Sequence, residues 1–262
     1  TSDSIDGLEN LPRYCGTHLR KIDSQAEIFM GRGGTLIKFD DYISKDLPQT
    51  VRVNLKNEMI RRPTQRDSLS TGYIYCYELI TKKNPSSSSE GQDNDDEIQI
   101  ITREEYLARS PRGSSGTSQL KIGRSKNPVI RHSQWSSQCP SKSPIIRGIF
   151  PDGTSEEDGS DNRRVYLKGT IGISEPGIRF HERWEKFCLI ELAAWSDLQK
   201  SNRSNCQPSS DSPRPQHTPR RNACKDCGKV HCEIFEFDQG SYERLVRPTI
   251  LKWEKWCRFA YD

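Results

Sequence analysis

No run of apolar residues in this sequence approaches the roughly 18 needed to cross a bilayer, which sets aside a helical membrane protein. Apolar residues make up only 32% of the 262, against about half in an ordinary globular chain, and mean hydropathy is −0.86. So little apolar material excludes two full cores and points to one modest core with long solvated connections. Net charge is nearly missing as well. Forty basic residues face 36 acidic ones, giving +4, so the total says little about partners. Nine cysteines, odd in number and mostly scattered, do not make a disulfide framework; they suit a reducing, intracellular compartment with free or metal-binding thiols. There is no internal repeat. The sequence opens on Thr1 rather than methionine, so a longer natural chain with residues upstream is expected.

What is present is unevenly distributed. Acidic residues collect at Glu90–Glu97 and Asp152–Asp161, and basic ones near Arg61–Arg66, Arg103–Arg131 and Arg214–Lys229. That separation suits a chain offering a basic face to phosphates, or solvated loops of either sign. Gly33–Tyr42 reads as a short strand or turn, and Leu55–Ile60 as a helix ending against Pro63. The aromatic and β-branched stretch Gly72-Tyr-Ile-Tyr-Cys-Tyr-Glu-Leu-Ile80 reads as a buried strand. The serine-rich, acidic spacer Asn84–Asp96 cannot bury enough apolar surface to offset its ordering entropy, so disorder is expected there. Ile98–Ile101 reads as a short strand. Leu120–Arg124 is a strand, after which Asn127 and Pro128 supply a cap and a first-turn proline for a helix to about Ser136. Pro144–Phe150 and Val165–Ile173 read as strands, Phe180–Trp195 as the best helix, and Ser201–Arg221 as a flexible loop with four prolines. A cysteine turn followed by a strand is expected over Cys224–Phe237, and a closing helix over Arg247–Phe259.

This order can assemble a phosphodiester site. A strand tyrosine, Tyr75, can position or deprotonate a water; a helix arginine, Arg131, can neutralise phosphate charge in the transition state. A helix carboxylate can hold one Mg²⁺, which acts as Lewis acid and stabilises the leaving oxygen. The segments GYIYCYEL and LKIGRSKNPVIRHSQW resemble the two signatures of the GIY-YIG endonuclease superfamily. They are most similar to the branch holding a bacteriophage T-five open-reading-frame DNA-binding domain and fungal meiotically up-regulated relatives. RWEKFCLIEL, CKDCGKVHCEIFEF and the terminal Trp-bearing helix are similar to that branch too, so the resemblance covers residues 72–258. It implies DNA as partner, a nuclear setting, and a Mg-dependent site of Tyr75, Lys121, Arg131 and Glu185, with Glu185 as the Mg ligand. Glu191 is the rival carboxylate. Six residues, about 240° of helix, separate the two, so at most one faces the site. Lys121 stands where many members have a second tyrosine and is expected to contact phosphate instead. No asparagine follows Asn222, where several catalytic members use one, so binding is expected ahead of cutting. His132 and His181 read as structural.

Cys224-x₂-Cys227-x₃-His231-Cys232 is compact enough for a structural zinc, with Gly228 permitting the turn. Cys224, Cys227 and His231 are three ligands, and Cys232, Cys139 or Cys206 the fourth. Neighbours on a strand point to opposite faces, which disfavours Cys232 beside His231 and makes Cys139, just after the arginine helix, attractive. Cys15-x₂-His18 is half of another motif, whose partners would have to lie elsewhere. The expected fold is α+β: a small, mainly antiparallel sheet flanked by helices, with long disordered loops. An N-terminal extension over 1–71 should pack on a domain over 72–260, with insertions at 81–118, 151–164 and 199–223. The other reading is a zinc-stabilised protein-interaction domain that touches no nucleic acid.

Overall fold

The structure, a computed structural model, describes residues 16–30, 34–68, 70–81, 116–152, 176–205 and 223–261. The N-terminal part runs α1 (Gly16–Ser24), β1 (Glu27–Met30), β2 (Thr35–Lys38), α2 (Gln49–Ile60) and the single turn α3 (Gln65–Ser68). There follow β3 (Tyr73–Thr81), β4 (Thr117–Ser125), α4 (Pro128–Gln138) and β5 (Lys142–Phe150). The chain closes with α5 (His181–Asn205), β6 (Ile234–Asp238), a π turn at Tyr242–Val246 and α6 (Arg247–Tyr261). This is the α+β class expected. The main sheet has order β5-β3-β4-β6, antiparallel throughout, and β1 and β2 form a separate antiparallel ribbon.

Strand β3 lies between two neighbours and is covered on both faces, which its alternating aromatic and apolar residues allow. Successive side chains point to opposite faces. Ile74 and Cys76 join Leu120 and Ile122 of β4 in one buried cluster, while Tyr75, Tyr77 and Leu79 join Trp135, Cys139 and Ile149 in a second. The first face is roofed by α5 and α6. On α5 the residues Trp184, Phe187, Cys188, Glu191 and Leu192 form a buried stripe at helical spacing, and Phe187 stacks on Trp253 of α6 with centroids 4.3 Å apart. The second face is covered by α4, whose start is capped as its sequence implies: Asn127 Oδ1 accepts from the Ile130 N–H at 3.1 Å.

The N-terminal segment shares this core. Ile28, Ile37, Phe39, Leu55 and Met59 belong to the same cluster as Ile74 and Trp184, and Tyr42 packs on Trp253 and Trp256. Glu58 of α2 is held by Arg61 at 2.8 Å and by Lys186 of α5 at 2.8 Å, and buried Arg183 donates to its carbonyl. Several boundaries differ from the sequence expectation. Helix α5 continues to Asn205, because Ser196 donates to the Glu236 carbonyl and Arg203 reaches Glu236 and Asp238 on β6; the following loop therefore starts well after 199. Strands β3 and β4 pair beyond the expected insertion limits of 81 and 118, through Thr81 and from Thr117. The expected disorder at 84–96, the strands at 98–101 and 165–173, Cys15 and Cys206 lie outside the described residues, as does the side chain of His18. No described helix is long and apolar enough to cross a membrane.

Candidate functional site

Cys224 and Cys227 sit on a tight turn. Gly228 adopts φ +69°, its N–H donates to the Cys224 carbonyl at 2.8 Å, and the Cys224 N–H donates to Lys229 O at 2.8 Å. Cys139 is the residue at which α4 ends, its own N–H bonded to Trp135 O. Ser141, just beyond it, donates through N–H and hydroxyl to Asp226 at 3.1 and 2.6 Å, bringing the end of α4 against the cysteine turn. Four ligand atoms, from Cys139, Cys224, Cys227 and His231, then lie within 4.8 Å of one another, and the group could hold a metal ion. Cys232 is not part of this group.

The edges of the cluster fit a tetrahedral ion. With Zn–S of about 2.3 Å and Zn–N of about 2.0–2.1 Å, a tetrahedron has S···S edges of about 3.8 Å and S···N edges of about 3.6 Å. Cys139 Sγ lies 3.9 Å from Cys224 Sγ and 3.7 Å from Cys227 Sγ; His231 Nε2 lies 3.5 Å from Cys139 Sγ and 3.3 Å from Cys227 Sγ. Electrostatics separates the thiols. Burial raises that of Cys224, but the N–H groups of Cys227 and Asp226 and its contacts with His231 and Cys139 outweigh this and bring it down to about 6. Cys139 is pushed up to about 12 by burial and by its neighbours Cys227 and Cys224. One thiolate thus forms readily at neutral pH, and a bound cation would favour the others.

The four residues expected to form the phosphodiester site are not brought together: Tyr75 and Lys121 lie on the face of the sheet that α4 covers, with Arg131 on that helix, while Glu185 lies across the sheet. Tyr75 pairs in register with Gly123, its phenol packed so closely that a β-carbon at Gly123 would lie 2.4 Å from the hydroxyl. Its ring stacks on Tyr77 at 4.3 Å. Tyr77 donates its hydroxyl to Pro128 O at 3.0 Å and has its phenol pKa raised by burial. Arg131 lies on α4 near Tyr77, where its charge favours the phenolate; it reaches Gln134 at 3.5 Å and does not stack on Trp135. Lys121 departs from expectation. Its odd position in β4 turns it inward, 1% exposed, between the rings of Tyr75 and Trp135 at 5.9 and 5.8 Å, and its ammonium pairs with Glu233 at 2.5 Å. In this position it is sealed from phosphate.

Glu185 lies on the other side of the sheet, where Arg124 holds it at 2.9 Å and also reaches Glu182 at 3.2 Å. Burial raises the Glu185 pKa against the opposing charges of Arg124 and Lys121. The side chain is only 12% exposed. Glu191 is consumed elsewhere: it accepts from Lys252 at 2.6 Å, from Trp253 Nε1 at 2.6 Å and from Trp195 at 3.3 Å. Its place in the α5–α6 interface removes it as rival. His132 bonds the Pro144 carbonyl at 3.0 Å, and His181 packs against Gly72; both are structural. Arg124, Glu182, Glu233 and Asp226 were not singled out in the sequence. Glu182 precedes Glu185 by one helical turn, and that spacing was the available signal; Glu233, in the turn after His231, carried none. No family model, curated protein or solved structure matches the chain.

Proposed function

We propose that this chain is a DNA-binding protein built on a GIY-YIG nuclease-like domain and stiffened by a structural zinc ion at Cys139, Cys224, Cys227 and His231. The order of elements supports it: a tyrosine strand, a Lys-Ile-Gly strand, an arginine helix and a carboxylate helix, all around one antiparallel sheet. Basic groups gather where β4 turns into α4. Lys126 is exposed, Arg124 is about one-third exposed, and both lie close enough to His181 at the start of α5 to add to burial in disfavouring its charged form. Arg131 follows within the first turns of α4. Such a group can contact a phosphate backbone without reading sequence. A nuclear location follows from this reading.

Binding is favoured over cutting by one observation: Arg124 occupies the Glu185 carboxylate that a Mg²⁺ ion would need. Cleavage remains a second reading, supported by the meeting of Glu182 and Glu185 on that single guanidinium. A phosphate that drew Arg124 away would release the Glu185 carboxylate from its guanidinium, one helical turn from Glu182. DNA affinity measured against salt tests the proposal, because phosphate contacts release counterions and the affinity must fall steeply. If Arg131→Ala leaves that affinity and its salt slope unchanged, the interface is wrongly placed. Mg-dependent nicking of supercoiled or branched DNA that vanishes in Glu185→Ala selects the nuclease.

A further inference from the structure

His231 and Glu233 stand two residues apart in the turn that leads into β6, and their side chains meet there. His231 turns Nε2 to the thiols and leaves Nδ1 3.4 Å from Glu233 Oε1. The same oxygen accepts from Lys121 Nζ at 2.5 Å. One carboxylate therefore touches both the metal cluster and the buried ammonium beneath Tyr75. Trp135, whose ring borders both Lys121 and His231, has its Nε1 buried without an acceptor. The strand is also fixed at this point, since Glu233 O accepts from the Ile122 N–H at 3.0 Å and Ile234 pairs with Lys121.

We propose that Glu233 is a positioning residue for the metal centre, an outer carboxylate that joins it to the sheet. A neutral imidazole that ligates through Nε2 carries its proton on Nδ1, and Glu233 is placed to accept it, fixing ring orientation and tautomer. Because Lys121 shares that oxygen, metal occupancy is tied to the strand that bears Gly123 and Arg124. A metal-stripped chain keeps the Lys121–Glu233 pair but loses the anchor on the imidazole, so the register of β6 against β4 loosens at Ile234. This inference rests on the cluster holding a metal, and its test separates the two.

Zn²⁺ affinity of the full chain is measured by competition with a chromophoric chelator, and Co²⁺ is substituted to read thiolate and imidazole ligation in the visible spectrum. Removing the acceptor in Glu233→Leu is expected to weaken Zn²⁺ by about 10–100-fold, the usual effect of losing such a partner. Glu233→Gln keeps an oxygen for Nδ1–H and is expected to lose less. Glu233→Leu alone strands a buried ammonium, so the deciding chain is Lys121→Met/Glu233→Leu, which carries no unpaired charge. It should remain weakened in Zn²⁺ binding, whereas Lys121→Met alone should not. If the double variant binds Zn²⁺ as tightly as the unaltered chain, Glu233 serves only to neutralise Lys121 and the proposal is overturned. An unaltered chain that takes up neither Zn²⁺ nor Co²⁺ removes the metal reading itself, and this inference with it.

Discussion

Stripping the metal should lower thermal stability by a measurable and site-specific amount. Besides the Cys139 thiol contacts, Ser141 on Asp226 joins the end of α4 to the cysteine turn, and that contact is exposed and easily replaced by water. An ion bound only by the folded chain, present at about 1,000 times its dissociation constant, adds about 4 kcal/mol. For a chain of this size each kcal/mol moves the melting temperature by about 2–4 °C, so chelation should lower it by about 8–16 °C. Cys139→Ser should abolish most of that shift, whereas Cys232→Ser should keep it, since Cys232 is outside the cluster. Differential scanning fluorimetry with and without chelator reads both, and hydrogen exchange should place the loosening at residues 138–141 and 223–234. A melting temperature indifferent to chelator refutes the reasoning. So does a shift that survives in Cys139→Ser and is lost in Cys232→Ser.

Other outcomes follow from the same structure. In the metal-stripped chain iodoacetamide should label Cys224 ahead of Cys139, the rate at Cys224 rising through about pH 6 while Cys139, held up near 12, stays slow at neutral pH; peptide mass spectrometry reads the order. Glu191→Ala should cost about 3–5 kcal/mol in urea denaturation, because it leaves Lys252 and Trp253 Nε1 without their acceptor, yet leave DNA affinity alone. The Glu185 pKa is raised in the fold, so the folded chain binds that proton more readily than the unfolded one, and stability falls as pH rises from the ordinary carboxylate value through the folded one. Glu185→Gln should flatten that slope and be at least as stable as the unaltered chain at pH 7, unlike Glu191→Ala. Gly123→Ala should cost about 1–3 kcal/mol by forcing a methyl into the Tyr75 phenol, and Tyr75→Leu in the same chain should recover part of it.

The sequence made strands and helices legible wherever the pattern was local. Tyr73–Thr81 announced itself through aromatic alternation, and α4 through Asn127 and Pro128. The four cluster residues were legible as well, from cysteine spacing joined to pleat parity, which turned attention from Cys232 to Cys139. The fate of single charges was not. Lys121 reads as a surface cation, and only the packing of α4 and the arrival of β6 show it sealed against Glu233, 112 residues away. Glu185 and Glu191 look equivalent along α5; what separates them is that one faces β4 and the other faces α6. The turns of α5 past Trp195 are polar and carry no apolar stripe of their own; their support comes from Glu236 and Asp238 on β6.

The two poles of the sheet differ in what gathers there. Tyr73 meets Ser125 at one end, close to Arg124, Lys126 and the start of α5. The chain leaves β3 at Thr81 and re-enters β4 at Thr117 at the other. A reporter domain spliced between those two residues would hang from the pole where Thr81 pairs with Lys142, three residues past Cys139, leaving the basic rim at the opposite pole free for measurement.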